Sequence, residues 1–269
     1  MIVQTPAIVL RSMRYGDTSK IVTLFTKDHG RVSVLAKGAR AGKARFGAAL
    51  ESGAHIAAVY YVKVSRELQT LSQADVQERF RRIPTSLPAT AAMLQMVEVV
   101  YVLTHPGERH TEVYDLLVEG LRAADRRDEG LADLLIAYRL KAISALGFAP
   151  SFDRCIRCGS SVTPSKVAHI RYHVRKGGPL CEACEQDLIS LPGRMGGRED
   201  WTESVVSGPA LLQFQRLMRD PLAQAGDEPA PEVIRSEMEA MLRLYERFHL
   251  DQRTPLRTSH LVRDVIQSP

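Results

Sequence analysis

The chain has 269 residues, 45% of them hydrophobic and 25% charged. That is the balance of an ordinary globular protein, and it excludes wholesale disorder, a collagen-like fibre and a low-complexity scaffold. The length predicts about two domains. No stretch approaches the ~18 apolar residues that cross a bilayer. Residues 1–12 lack the basic start and longer apolar run of a signal peptide, so the expected location is the cytoplasm.

Charge is uneven. Residues 1–82 hold 14 Lys and Arg against 6 Asp and Glu, net +8, while the remaining 187 residues are net −3. Such asymmetry points to a polyanion-binding module joined to a neutral or acidic one.

In chain order, residues 7–75 read as five short strands: AIVLRS, KIVTLFT, RVSVLAKG, HIAAVYYVKV and ELQTLSQADV. Their Val, Ile, Thr, Tyr and Leu content and the glycines between them carry the assignment. Asp28-His29-Gly30 has the form of a hairpin connection. Five strands without a long helix suit a small closed barrel, and the five-stranded OB-fold is the common solution that also binds nucleic acid. Strand count alone leaves an SH3-like barrel open.

Within this region Lys37, Arg40, Lys43 and Arg45 fall in nine residues with no acid among them. Gly and Ala fill the gaps, so the segment is suited to follow a phosphate backbone. Its G-x3-G-K-A pattern resembles a P-loop but lacks the fourth spacer residue and the Ser or Thr that holds Mg²⁺. Arg79, Arg81 and Arg82 form a second cluster, and Arg14, Lys63 and Arg66 complete the candidate DNA-contacting set. Tyr15, Phe46, Tyr60 and Tyr61 are the candidates for base stacking. Tyr60 and Tyr61 are adjacent on a strand and so face opposite ways, which makes one of the two a core residue.

Beyond Arg82 the pattern turns helical. An apolar run from Pro88 to Leu103 follows Thr85-Ser86 and stops at His105-Pro106-Gly107. Leu131, Leu134, Leu135, Tyr138, Ala142, Ile143 and Leu146 share one helical face, with Gly147 placed to end the helix. Ile234, Met238, Met241, Leu242, Tyr245 and Phe248 repeat the spacing, with Arg235, Glu239, Arg243 and Glu246 on the opposite, solvated side. Residues 221–231 read as a loop.

Between the helical regions, roughly residues 150–200, helical periodicity fades and all four cysteines appear. Cys155 and Cys158 form one C-x2-C pair, Cys181 and Cys184 the other, 22 residues on. Two such turns offer four thiolates to one structural Zn²⁺ and leave no open position for catalysis. His169 and His173, four apart on a strand-like stretch, are expected on the surface rather than on the metal. No nucleophile elbow, zinc-protease helix or dinucleotide motif is present in the sequence, and no catalytic residue is assigned.

The stretches TPAIVLRS, YGDTSKIVTLFTKDHGRVSVLAKGAR, RELQTLSQADV, GFAPSFDRCIRCG, GGPLCEAC and YERFHL resemble the bacterial recombination mediator RecO family over nearly the whole chain. The resemblance implies an α+β protein, with a five-stranded OB-fold barrel followed by an α-helical domain that carries an inserted four-cysteine zinc element. The expected division is 1–82 for nucleic acid, 83–150 with 200–269 helical, and 151–199 for zinc. The resemblance also implies a non-enzymatic, nucleoid-associated DNA repair protein. Such a protein binds single- and double-stranded DNA and anneals complementary strands. With RecR and the tail of single-stranded DNA-binding protein it helps load RecA. The residues alone leave open an RNA-binding OB-fold factor or a zinc-dependent enzyme of nucleic acids.

Overall fold

A computed structural model describes residues 1–41, 46–63, 65–164, 169–190, 203–250 and 256–267. The chain forms two compact units, Met1–Leu131 with Leu256–Pro269, and Ala132–Pro255.

In the first unit, β1 (Ile2–Tyr15), β2 (Ser19–Thr26), β3 (Gly30–Ala36), β4 (His55–Tyr61) and β5 (Leu68–Glu78) close a barrel in the order β1-β2-β3-β5-β4. β3 and β5 pair in parallel and every other neighbour is antiparallel. This closure is the OB arrangement, so the choice that strand count left open is settled by which strands meet. β1 runs to 14 residues, well past the short run expected for it. Its first half pairs with β4 and its second with β2, and the register slips between Val9 and Arg11. A bulge bends a strand and increases its twist, which lets one strand serve both sides of the barrel. Val9, Val22, Leu24, Val34, Leu50, Ile56, Tyr60 and Leu71 fill the interior. In the β2–β3 turn Gly30 has φ +63°, and a Cβ there would stand 1.9 Å from the Glu108 carbonyl oxygen. Glycine is therefore required twice, by conformation and by close approach.

Two long helices, with a short helical segment at Ser259–Gln267, complete the described part of this unit. α1 (Leu87–Leu103) begins where its sequence signals place it: the Ser86 hydroxyl accepts from the Ala89 N–H at 3.3 Å. α2 (Thr111–Asp125) was not expected, although Val113, Tyr114, Leu117, Val118 and Leu121 give it a buried face. The Tyr114 hydroxyl lies 3.0 Å from His55 Nε2, and Glu78 lies 3.3 Å from His55 Nδ1 while also pairing with Arg122 at 2.9 Å. Burial holds the His55 imidazole below its ordinary value. Glu98 on α1 accepts from the backbone of Arg257 and Thr258 at 2.8 and 2.9 Å, which fixes the C-terminal segment to this unit.

The second unit holds α3 (Leu131–Ala145), β6 (His169–His173), β7 (Gly178–Pro179), α4 (Glu182–Ser190), β8 (Glu203–Ser207), α5 (Gly208–Arg219) and α6 (Glu232–His249), with the strands in the order β7-β6-β8. α3 ends as expected, with Gly147 at φ +91° and the Phe148 N–H bonded back to the Ile143 carbonyl at 3.1 Å. It buries more than the one face read from the sequence, because Ile136, Ala137 and Leu140 are also fully enclosed. A helix buried on nearly all sides, its Asp133 and Arg139 included, belongs at the centre of its unit. α4 lies in the segment judged poor in helical periodicity, and α5 also went unread. At α5 the Ser207 hydroxyl accepts from Ala210 N–H at 3.3 Å, and Leu211, Phe214 and Leu217 are buried. Phe152 stacks on Phe214 at 4.5 Å between centroids and on Tyr172 at 5.6 Å, which joins the cysteine segment to the helical core.

One expectation fails for a physical reason. Glu239 and Glu246, assigned to the solvated side of α6, are buried against Arg139 of α3. Arg139 donates to both Glu239 oxygens at 2.9 and 2.8 Å, and to Glu246 at 2.8 and 2.6 Å. Such two-pronged pairs are the strong form of charged hydrogen bond. Among the described residues no helix is long and apolar enough to cross a membrane.

Candidate nucleic-acid interface and metal centre

Alternation along the strands sends one row of side chains outward around the barrel. Met13 lies opposite Ile21, Ile21 opposite Leu35, Leu35 opposite Thr70, Thr70 opposite Tyr61, and Tyr61 opposite Ile2. The row therefore passes around the whole barrel. Tyr61 is 47% exposed, and Tyr15, two residues along from Met13 on the same side of β1, is 52% exposed. These two tyrosine side chains are exposed to solvent. Phe46 and Tyr60 do not: they are 6% and 1% exposed within the barrel core. The stacking expectation is corrected for both, because a buried ring has no face for a base. Burial also pushes the Tyr60 phenol up to about 12. Met13, Ile2 and Leu35 carry no local signal beyond strand alternation, and Met13 follows from it only when β1 is continued past the bulge between Val9 and Arg11.

The cations gather at three places. Arg14 lies opposite Lys20 near the β1–β2 tip, and Lys20 lies opposite Ala36, the last residue before Lys37. Arg40 is held to the same tip by its N–H, which donates to the Thr18 carbonyl at 2.8 Å. Lys20 pairs with Glu51 at 2.9 Å, whereas Arg14, Lys37 and Arg40 are exposed. Lys43 and Arg45 lie outside the described residues. Lys63 and Arg66 flank the connection from β4 to β5 and are exposed. The Gln69 side chain clamps that connection, accepting from Lys63 N–H at 2.8 Å and donating to the carbonyls of Lys63 and Arg66.

The third cluster is different. Arg79 and Arg81 are exposed, but the Arg82 guanidinium pairs with Asp128, and the Asp125 carboxylate accepts from the backbone N–H groups of Arg81, Arg82 and Ile83. Two acids thus offset part of the positive field that the sequence suggested there.

In the second unit the four cysteine sulfurs come together. All lie within 4.8 Å of one another, with Cys158 and Cys181 Sγ 3.6 Å apart. Cys155 and Cys158 occupy a turn closed by Gly159 at φ +74°; Cys181 precedes α4 and Cys184 lies in its first turns. The Arg157 N–H points at Cys155 Sγ, 3.5 Å away, and Ile156 N–H donates to the Pro179 carbonyl at 3.0 Å, tying one cysteine turn to the other. Side-chain and backbone hydrogen bonding at Ser160 draws the Cys158 thiol down to about 6. A cluster of this composition can hold a metal ion. Neither His169 nor His173 belongs to it, and His173 is buried rather than on the surface as expected.

Residues 1–80 match the family model for the N-terminal part of recombination protein O, and residues 84–259 match that for its C-terminal part. A protein of Anaeromyxobacter dehalogenans named DNA repair protein RecO is 31% identical over 95% of this chain and 94% of its own length. One of the same name from Chloroherpeton thalassium is 28% identical over 99% of this chain and its own full length. Another from Salinibacter ruber is 40% identical over 57% of this chain and 59% of that protein.

Proposed function

The chain belongs to the RecO family of DNA repair proteins, and from that premise we propose that it is a DNA-binding recombination mediator acting without catalysis. It binds single- and double-stranded DNA on the barrel and anneals complementary strands. With RecR and the tail of single-stranded DNA-binding protein, it loads RecA in the cytoplasm at the nucleoid. The observation that carries this reading is the outward barrel row with exposed Tyr15 and Tyr61, bordered by Arg14, Lys37 and Arg40 at one place and Lys63 and Arg66 at another. Cations in those positions neutralise phosphates, and ring faces stack on unpaired bases of any sequence. Lowering the repulsion between two backbones lets their bases pair. In this division residues 1–82 hold DNA, the helical parts 83–150 and 200–269 meet protein partners, and 151–199 form the metal element.

The ion we assign to Cys155, Cys158, Cys181 and Cys184 is one structural Zn²⁺. A tetrahedron with Zn–S near 2.3 Å separates its sulfurs by about 3.8 Å, close to the 3.6 Å between Cys158 and Cys181. When bound, the ion would cross-link the two cysteine turns.

The test is strand annealing with neither nucleotide nor added divalent ion, together with the salt dependence of oligonucleotide binding. Annealing should proceed in the wild type. Changing Lys37, Arg40, Lys43 and Arg45 to Ala should flatten the logarithmic salt slope by roughly 2 to 3 units, at about 0.7 for each phosphate no longer neutralised. Annealing that requires ATP, strand cleavage, or an unchanged slope in the quadruple variant would sink this reading.

A further inference from the structure

The loop that joins α1 to α2 carries a cluster that the proposed function leaves unused. Within six residues it holds His105, Glu108 and His110. One carboxylate oxygen, Glu108 Oε2, stands 3.6 Å from His105 Nδ1 and 3.5 Å from His110 Nε2. The backbone around the cluster is held on three sides. At the end of α1 the Thr104 hydroxyl donates to the Val100 carbonyl at 2.7 Å, and at the start of α2 the Tyr114 N–H donates to the His110 carbonyl at 3.0 Å. Between them the Gly107 N–H donates to the Arg31 carbonyl of β3 at 3.0 Å, and the Glu108 carbonyl lies against Gly30.

Hydrogen bonding does not account for these distances. At 3.5 and 3.6 Å the carboxylate oxygen is too far from either ring nitrogen for a good hydrogen bond. His110 Nε2 is hidden from solvent and, among the described residues, has no hydrogen-bond partner. A polar atom left so is costly unless something fills the gap. A bridging water, with bonds near 2.8 Å, would set the two atoms about 4.6 Å apart. Two ligands on one tetrahedral ion, with bonds near 2.1 Å, lie about 3.4 Å apart. Both separations sit close to the second value and far from the first. The neighbouring guanidinium groups are engaged elsewhere: Arg109 Nε donates to Thr111 Oγ1 at 3.0 Å, and Arg31 lies 4.6 Å over the Tyr101 ring.

We infer that His105, Glu108 and His110 form a metal site of their own, for one divalent ion of the zinc and nickel class. Imidazole suits those ions, and a carboxylate oxygen completes a three-residue set that leaves an open position for water. The His105 side chain is 75% exposed, so its ring can turn onto the ion, while the backbone of Glu108 and His110 is already in place. Bound there, the ion clips the end of α1 to the start of α2 beside β3. The site lies in the first unit, whereas the four cysteines lie in the second. Its ligands are imidazole and carboxylate rather than thiolate, and it does not depend on the DNA-binding reading.

The test is titration of the untagged, full-length protein with Ni²⁺, followed by calorimetry and by the imidazole NMR signals of its eight histidines. One Ni²⁺ per chain is expected, with any zinc already present retained. Its paramagnetism should broaden the signals of His105 and His110 before those of the other histidines. His105→Gln and Glu108→Gln should each weaken binding about 100-fold, the upper end of what losing even an outer partner of a metal site costs. Both side chains are exposed, so without the ion both variants should melt as the wild type does. Added Ni²⁺ should raise the melting temperature of the wild type and leave that of the two variants in place. No uptake of Ni²⁺, or an affinity unchanged in both variants, would overturn the inference. Broadening of histidines other than His105 and His110 would show an adventitious ion only, and would overturn it too. Zinc released in step with Ni²⁺ uptake would put the nickel on the cysteines and refute the separate site.

Discussion

The two units hold themselves together by different means. Among the described residues of the first, the buried polar ones are Thr5, Thr26, His55, Gln95 and Thr104, none carrying a permanent charge. Its barrel closes through backbone pairing around an aliphatic interior, and its charges stand outside. In the second, Asp133, Arg139, Glu239 and Glu246 are all buried, and the strands are short. The contrast is physical. Five paired strands satisfy their own backbone and specify one register. Helices packed side by side can slide or rotate, and a buried ion cluster opposes both. Arg139 can reach both glutamates only when α3 and α6 stand in one alignment, since Glu239 and Glu246 are seven residues, two helical turns, apart. The two cysteine turns of that unit are tied by the Ile156 N–H, which donates to the Pro179 carbonyl at 3.0 Å.

This contrast can be broken most sharply at Arg139. Arg139→Ala strands two buried carboxylates and should destabilise the second unit by about 3–5 kcal/mol, seen as a lowered denaturant midpoint for that unit. Replacing all three residues by Met and Leu should recover most of the loss, because removing a whole buried ion cluster is often neutral. If Arg139→Ala alone leaves the midpoint unchanged, the cluster is not what aligns α3 and α6.

A smaller effect is expected at the metal centre. Cys158→Ser should release the ion, measured by elemental analysis, and lower the stability of the second unit. Oligonucleotide binding by the barrel should keep its salt slope. Protein purified without chelator that contains no zinc would refute the assignment.

The smallest effect belongs to the first unit and to pH. Burial depresses His55 below its ordinary 6.5, so below that value the unfolded chain takes up a proton that the folded chain resists. The stability held by neutral His55 is therefore present above pH 6.5 and falls as pH drops toward the lower folded value. Glu78 faces His55, and its hydrogen bond to Arg122 holds its carboxyl below the ordinary 4.5. Its contribution is lost in turn at still lower pH. His55→Gln should flatten the fall of the urea midpoint between about pH 7.5 and 5.5, and an unaltered pH profile would show that His55 does not set it.

Much of the fold could be read locally. Alternation and turn glycines located five strands, Ser86 and Gly147 bounded two helices, and the doubled C-x2-C spacing marked the cysteine cluster. α2 and α5 were missed despite readable signals, the Val113–Leu117–Leu121 spacing and the Ser207-Gly208-Pro209 start. At the candidate interface the charge excess of residues 1–82 was legible, but its partition was not. That the Arg81 and Arg82 backbone would meet Asp125, and Lys20 would meet Glu51, depends on acids 44 and 31 residues away.

The sequence by itself determined what acts within a few residues: strand period, caps, ligand spacing and the sign of the charge on each part. Those depend on backbone geometry and side-chain chemistry that neighbours along the chain already specify. Only tertiary structure decided the rest. It closed β3 against β5, put Phe46 and Tyr60 inside while Tyr15 and Tyr61 stayed out, and turned Glu239 and Glu246 from a solvated face into partners of an arginine 100 and 107 residues earlier. Whether a charge or a ring meets water depends on which distant element packs over it, and no local pattern carries that information.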